Sequence, residues 1–135
     1  MALILNRRTL ICLQRYNDGK ILTKRSNIDI FARYGHLSLI ILYNDNSNVK
    51  CTKYAMDLVS ENNHLDIVKF LHFNRSEGCT EDAMNWASKY GHLDVVIWLH
   101  ENRKEGCSRW AMDYASQNSH TEIVDFLTKH YPQYA

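Results

Sequence analysis

Apolar residues recur along the chain at the spacing of amphipathic helices. The stretch GCTEDAMNWASKYGHLDVVIWLHENRKEGC (78–107) contains two apolar stripes, which are separated by Gly91. The first consists of Ala83, Met84 and Ala87, and the second of Leu93, Val96 and Leu99, widened by Val95 and Trp98. The second stripe follows a 3.6-residue period, and no segment shows the sustained alternation of a strand. This pattern predicts two short helices joined by a tight turn.

The same pattern returns every 28 residues. The segment NRSEGCT (74–80), for example, returns as NRKEGCS (102–108). The residues that keep this step include His36, His64, His92 and His120, together with Cys51, Cys79 and Cys107. So many coincident offsets establish an internal repeat. We divide it into the units 23–50, 51–78, 79–106 and 107–134.

The first unit is degenerate, because it has Thr23 where the other units have Cys. Before it, LICLQRYND (10–18) resembles LSLIILYND (37–45), so residues 1–22 are predicted to form half of a further unit. That half-repeat would be either an N-terminal cap or the remainder of a truncated array. A pair of short helices cannot bury its apolar face alone, whereas stacking on neighbouring pairs can. We therefore predict an all-α fold, an α-solenoid of stacked helix-turn-helix units.

Polar residues and glycine mark the predicted helix ends. The candidates for the N-cap of the first helices, where a side-chain oxygen accepts a backbone N–H, are Thr52, Thr80 and Ser108. Gly91 suits the left-handed conformation that commonly ends a helix. Asn63 and Ser119 occupy the equivalent place and adopt that conformation less readily.

The segment ASKYGHLDVVIWLHEN (87–102) resembles the second half of an ankyrin repeat. It shares the Gly-His turn and a second helix with paired valines and a following leucine. The segments YGHLSLIILYND (34–45), NNHLDIVKFLHFN (62–74) and, more loosely, NSHTEIVDFLTKH (118–130) extend the resemblance over about residues 23–134. Compact units of this kind are similar to those of large families in giant DNA viruses and some protists. The resemblance thus implies an ankyrin-type solenoid and suggests a viral protein.

Two features depart from the ankyrin pattern. An ankyrin unit has about 33 residues, and the deficit here falls in the loop between units. The β-hairpin finger that the family carries in this loop is therefore predicted to be reduced or absent. In addition, the family's Thr-Pro-Leu-His stretch falls on YAMD, DAMN and WAMD, so that Asp57, Asn85 and Asp113 replace the His that ties neighbouring units. These three side chains could still bond backbone N–H groups.

Composition and charge restrict the partners and the compartment. The hydrophobic content is 45%, the charged content 23% and the net charge +1, as in an ordinary globular protein. No apolar run approaches the 20 or so residues needed to span a bilayer, and no export signal is evident. The Cys residues are then expected to be reduced thiols in an intracellular, cytoplasmic setting, that of a host cell if the protein is viral. A basic transit peptide at the N-terminus is the alternative.

The Cys and His residues that recur every 28 residues do not have the geometry of a reactive site. Residues one repeat apart in a helical stack are separated by about 8–10 Å. That is too far for a shared zinc ion or a disulfide, so a structural role is predicted for both ladders. Motifs such as HExxH, GxSxG, Walker sequences and GxGxxG are missing. We therefore expect a non-enzymatic protein without cofactor or metal.

One set of positions varies between units while its neighbours stay fixed. These positions lie at i, i+4 and i+8 of each first helix, and they are Tyr54, Leu58, Asn62, Asp82, Trp86, Tyr90, Trp110, Tyr114 and Asn118. The resemblance implies that this face lines the concave groove of the solenoid. Its aromatic content is typical of interface hot spots. The alternative is that the rings pack between units.

The sequence thus favours a protein–protein interaction module of the scaffold or adaptor type. A second hypothesis is a self-assembling or capping piece of a larger array, which would associate through the apolar LICL segment of the N-terminal half-repeat. A third is nucleic-acid binding through the basic N-terminus, which no aromatic interleaving or known motif supports. The partner's identity and the oligomeric state are not encoded in any motif, and membrane association is not expected.

Overall fold

The computed structural model of the chain describes residues 28–45 and 49–135. Several predictions made above lie outside the described residues. They concern the N-terminal half-repeat 1–22, the basic segment, Thr23 and self-association through LICL. Within the described residues the regular structure consists of eight α-helices and one 3₁₀ helix, without a β-strand.

The helices alternate between two sets. The first helices of the successive pairs are α1 (Ile28–Arg33), α3 (Lys53–Glu61), α5 (Asp82–Lys89) and α7 (Arg109–Gln117). The second helices are α2 (Leu37–Tyr43), α4 (Leu65–Asn74), α6 (Leu93–Asn102) and α8 (Thr121–His130). A 3₁₀ helix, Pro132–Tyr134, follows α8 and packs on it. The second helices begin 28 residues apart, as the sequence repeat predicts.

The pairs stack side by side into a solenoid. Each first helix packs against its own second helix and, more extensively, against the first helix of the next pair. Small residues allow this close approach, because Ala55, Ala83 and Ala111 are at most 1% exposed on α3, α5 and α7. The apolar stripes of the second helices, such as Val96 and Leu99, close the core from the other side. The predicted all-α solenoid is confirmed.

The turn inside each pair depends on one residue with positive φ. Gly91 has φ +79°, and Asn63 and Ser119 adopt φ of 60° and 59° at the equivalent place. The following N–H then returns to the end of the first helix, as when His92 N donates to the oxygen of Ala87 at 2.9 Å. The prediction of a left-handed residue at these three turns is confirmed.

The three predicted N-caps behave differently. The Thr52 hydroxyl accepts from Tyr54 N at 3.2 Å and caps α3, as predicted. The Thr80 hydroxyl accepts from Asp82 N at 3.1 Å, but α5 begins at Asp82, so that the N-cap position is Glu81. The prediction for Thr80 is thus wrong by one residue, although the N–H that it satisfies belongs to the first turn.

Ser108 occupies the N-cap of α7 without forming a side-chain cap bond. Its hydroxyl oxygen instead accepts from the amide nitrogen of Asn85 in the preceding repeat, at 3.0 Å. The capping prediction for Ser108 is therefore wrong in its chemistry, because the hydroxyl is used between repeats.

The loops between pairs are short. The described loops at 75–81 and 103–108 contain no strand, which confirms the loss of the β-hairpin finger. The loop at 103–108 contains an ion pair between Arg103 and Glu105. The guanidinium of Arg103 also lies 3.3 Å from His72 Nδ1 of the preceding repeat. In the last repeat the equivalent residue is Tyr131, whose hydroxyl lies 2.9 Å from His100 Nδ1.

Candidate functional site

The nine predicted interface residues lie on one side of the first helices. We call this surface the first-helix face. Its exposed members are Tyr54, Asn62, Tyr90, Trp110 and Asn118, and its half-buried members are Leu58, Asp82, Trp86 and Tyr114. Because α3, α5 and α7 pack next to one another, residues at equivalent positions form a continuous surface across three repeats.

Three large aromatic side chains of this face are unusually accessible. The exposed fractions are 60% for Tyr54, 46% for Tyr90 and 58% for Trp110. Aromatic rings that remain this accessible in a folded chain are candidates for contact with a partner, because covering them removes a large apolar area from water.

The last two repeats bring several of these rings into one group. The rings of Trp110 and Tyr114 stack with centroids 5.6 Å apart and an interplanar angle of 25°. The ammonium of Lys89 lies 5.1 Å from the centroid of Tyr90 and 5.5 Å from that of Tyr114. We call these four residues the aromatic cluster. It spans two repeats, because Lys89 and Tyr90 lie at the end of α5 while Trp110 and Tyr114 belong to α7.

The aromatic side chains of the first-helix face differ in their exposure. Trp86 and Tyr114 are half-buried, so part of each ring packs within the stack. Tyr90 and Trp110, by contrast, present about half of their surface to solvent. Within the aromatic cluster, Tyr114 is thus the half-buried ring, and Tyr90 and Trp110 are the exposed ones.

The histidine ladder joins adjacent repeats. His92 Nε2 lies 2.8 Å from the backbone oxygen of Glu61, and His120 Nε2 lies 3.0 Å from that of Lys89. A carbonyl oxygen can only accept, so each Nε2 must carry the proton and donate. The two bonds join different pairs of repeats and therefore do not converge on a common point. Moreover, His120 fixes the backbone of Lys89, whose side chain lies in the aromatic cluster.

Two imidazoles of this ladder, His64 and His120, lie against the glycine turns of the preceding repeats. A Cβ added to Gly91 would lie 2.7 Å from His120 Cε1, and one added to Gly35 would lie 2.5 Å from His64 Nε2. A side chain at Gly35 or Gly91 would therefore require the imidazole to move, in addition to the cost of the positive φ. Burial, together with the charge of His64, lowers the pKa of His36.

Buried polar residues on the first helices form a second inter-repeat ladder. The Asp57 carboxylate accepts from Thr80 N at 2.9 Å and from the Thr80 hydroxyl at 2.8 Å. Asn85 accepts from Ser108 N at 3.1 Å. The prediction that these positions bond backbone N–H groups is confirmed for Asp57 and Asn85. Asp113, in the last described repeat, instead forms an ion pair with Arg109 on its own helix at 3.7 Å.

The three cysteines in the described part of the chain lie beside the loops between repeats and are free thiols. Cys79 and Cys107 are 2% and 7% exposed, and Cys51 is half-buried. Burial, with a further contribution from a nearby carboxylate, raises the pKa of each of these three thiols to about 12. Across the ranges 28–45 and 49–135, no cluster of three His, Cys, Asp or Glu residues could hold a metal ion.

The sequence interpretation missed two members of this region. Tyr34 is 64% exposed and occupies the position of Tyr90 two repeats earlier, so the 28-residue step could have identified it. Lys89 was missed because its approach to two rings depends on a side-chain conformation that no spacing encodes. A further exposed ring, that of Phe73 at 74%, lies at the end of a second helix and is not part of the first-helix face.

The stacked helical pairs and their repeated ties between neighbours define an α-solenoid repeat protein. A family model of ankyrin repeats, in three copies, matches residues 55–134. The chain belongs to the ankyrin-repeat family. No curated protein matches the chain at a significant level.

Membership has general consequences for function. Ankyrin repeats generally mediate protein–protein interaction and are typically non-enzymatic. The match begins in the second of our four units, so the pair α1–α2 lies before it, although α1 packs on α3 as the later first helices pack on one another. In the part of the chain that the structure describes, no helix is both long and apolar enough to cross a membrane.

Proposed function

We propose that the chain is a non-enzymatic scaffold or adaptor that binds another protein through its first-helix face. The observation that carries the proposal is the aromatic cluster, in which the exposed ring of Trp110 stacks on the half-buried ring of Tyr114 and Lys89 lies near both Tyr114 and the exposed ring of Tyr90. Interface hot spots are enriched in Trp and Tyr, because each of these side chains combines a large apolar ring with one polar group.

The stack supports this function by holding the rings in place before a partner arrives. Lys89 and Tyr90 lie at the end of α5, and the bond from His120 to the Lys89 oxygen ties that end to the next repeat. Binding then costs less conformational entropy than it would if the surface had to be ordered by the partner.

An affinity-capture experiment with matched variants tests the proposal. The first variant combines Tyr90→Ala with Trp110→Ala, and the control is Phe73→Ala, which removes an even more exposed ring from a second helix. We expect the double variant to lose the proteins that the wild-type chain retains, and Phe73→Ala to keep them. Thermal unfolding by circular dichroism must show that both variants remain folded. Equal recovery by the two variants would exclude the first-helix face.

We also propose that the chain acts inside a cell, in a reducing compartment such as the cytoplasm, and that it is of viral origin. The first statement is supported by the free thiols of the described cysteines, which are typical of a reducing compartment, and the second by the compact repeat length. Self-association through the N-terminal half-repeat and nucleic-acid binding through the basic segment concern residues 1–27, outside the described part, and stay predictions.

A further inference from the structure

Among the described residues, the Lys89 ammonium has aromatic rings near it and no ion-pair partner. It lies 5.1 Å and 5.5 Å from the ring centroids of Tyr90 and Tyr114. The ion pairs formed by the described residues are Arg75–Glu77, Arg103–Glu105 and Arg109–Asp113, so Lys89 has no acidic partner within 4.0 Å among them. The rings attract the cation without neutralising its charge.

The position of Lys89 is not a requirement of the repeat. The equivalent residues in the other units are Arg33, Glu61 and Gln117, which differ in charge and in hydrogen-bonding capacity. Its backbone carbonyl, which accepts from His120 Nε2, serves the stack whatever the side chain is. The lysine side chain is therefore free to serve recognition, while the backbone serves stability.

The neighbouring cation on α7, Arg109, already has a carboxylate partner on its own helix. Arg109 lies 3.7 Å from Asp113, with side chains that are 77% and 36% exposed. The carboxylate of Asp82, on the same face, lies at the opposite end of α5 from Lys89 and accepts a long contact of 3.5 Å from Asn85 Nδ2. Within the aromatic cluster itself, Lys89 thus supplies the charge that a partner would meet.

We propose that the first-helix face binds a linear protein segment in which a carboxylate side chain lies next to a large apolar side chain. The carboxylate pairs with Lys89, and the apolar side chain covers the rings of Tyr90 and Trp110. This inference rests on the proposed function and specifies the chemistry of the partner. Covering the rings excludes water from the ammonium, which strengthens the attraction to a carboxylate at that point.

Selection of peptides on the immobilised full-length chain tests the inference without knowledge of the natural partner. A displayed library of random peptides is the probe, and the selected peptides are then synthesised for affinity measurement by fluorescence anisotropy. We expect them to carry Asp or Glu beside an aromatic or large aliphatic residue. Changing that Asp or Glu to its amide is expected to weaken binding about tenfold, the usual loss of one charge-assisted hydrogen bond.

Variants of the chain then assign the effect to Lys89. Lys89→Met keeps an apolar stem over the rings and should lose about tenfold in affinity for the acidic peptide and little for its amide form. Lys69→Met, which removes an exposed lysine from a second helix, is the matched control and should change neither affinity. The double-mutant cycle between Lys89→Met and the peptide amide isolates the pairwise term.

The outcomes separate this inference from the proposed function. Peptides whose binding is lost in Trp110→Ala, but which lack a carboxylate or bind Lys89→Met equally well, would leave the binding face in place and overturn the acidic segment. Peptides that bind Trp110→Ala normally and lose affinity for Phe73→Ala would overturn both. Recovery of no binding peptide would likewise count against both.

Discussion

The Asp57 carboxylate receives both the backbone N–H and the hydroxyl of Thr80, at 2.9 Å and 2.8 Å, across the boundary between two repeats. Asn85 forms the same pair of contacts with Ser108 one repeat later, at 3.1 Å to the backbone nitrogen and 3.0 Å to the hydroxyl. The direction of the hydroxyl bond is reversed, because an amide nitrogen donates where a carboxylate accepts. The stack therefore tolerates either side chain at this position.

This relationship predicts opposite results for two substitutions of Asp57, which is fully buried. Asp57→Ala removes the acceptor of two hydrogen bonds and should cost about 2–3 kcal/mol in the free energy of unfolding. Asp57→Asn restores the pattern of Asn85 and should change it by less than about 1 kcal/mol. Urea unfolding followed by circular dichroism measures both. Similar losses for the two variants would show that the carboxylate itself is required.

The pH dependence of the same pair follows from its burial. Burial raises the pKa of the Asp57 carboxyl above 3.8 despite the hydrogen bonds from Thr80. A raised pKa means that the folded state holds this proton more tightly than the unfolded state, so ionisation of Asp57 lowers stability as the pH rises through its folded pKa. Any advantage of Asp57→Asn over wild type should therefore be largest at neutral pH and shrink towards pH 4. An advantage that grows as the pH falls would contradict this.

The contact between Gly91 and His120 predicts that alanine is costly at this turn. Gly91→Ala places a Cβ 2.7 Å from His120 Cε1 in a residue with φ +79°. We expect a loss of more than the 1–2 kcal/mol or so that the left-handed conformation alone costs. In a His120→Ala background the steric part should disappear, and the remaining loss should fall to about that range. A double-mutant cycle by urea unfolding measures the difference, and additive losses would show that the ring does not restrict the turn.

At the equivalent turn in the last repeat, a substitution by glycine is expected to stabilise the fold. Ser119 adopts φ 59°, where glycine bears less strain. Ser119→Gly should raise the free energy of unfolding by about 0.5–1 kcal/mol, the conformational gain less the entropy of glycine in the unfolded chain. A loss of stability on this change would show that the Ser119 side chain contributes an interaction that outweighs its backbone strain.

The buried thiols are expected to be inert in the folded chain. Cys79 and Cys107 are nearly inaccessible, and burial raises the pKa of each thiol to about 12. In a Cys12→Ser background, treatment with an aromatic disulfide reagent at pH 8 should label both residues only at the rate of unfolding. Peptide mapping by mass spectrometry identifies the labelled residues. Rapid labelling of Cys79 in the absence of denaturant would contradict the packing beside this loop.

The Arg103–Glu105 pair predicts part of the loss of stability in acid. Partial burial opposes ionisation of Glu105, but hydrogen bonds from Arg103 and from backbone N–H groups outweigh it and lower the pKa to about 2. A lowered pKa gives stability that is complete above the ordinary value of 4.5 and is lost as the pH falls through 2. Glu105→Gln should therefore be less stable than wild type at pH 7, and the difference should narrow below pH 4.5. Glu101→Gln, at an exposed position, is the matched control variant.

The sequence predicted the path of the backbone better than the contacts of the side chains. The apolar stripes and the 28-residue step predicted the helix pairs, because stacking is the arrangement that buries a stripe such as Val96 and Leu99. The positive-φ turns followed from Gly91 in the same way. The capping role of Ser108 was wrong because the hydroxyl can serve either its own helix or Asn85, and only the distance between repeats decides which.

The candidate site was predictable in its positions more than in its chemistry. The 28-residue step located Tyr90 and Trp110 at places that are exposed in the stack. The role of His120 in fixing Lys89 was not foreseen, since the bond joins residues 31 positions apart and requires the register of two packed repeats. Nor does any spacing in the sequence specify that the Lys89 ammonium lies near the rings of both Tyr90 and Tyr114.

Site-specific photocrosslinking tests most directly whether the first-helix face binds a partner. A benzophenone amino acid replaces Trp110 in one variant and Phe73 in another, and each is irradiated in extract of the cells that naturally produce the chain. Both positions are exposed, at 58% and 74%, so accessibility alone favours Phe73. We predict a discrete protein adduct from position 110 and none from position 73. Adducts from position 73 alone, or the same adducts from both positions, would contradict the account.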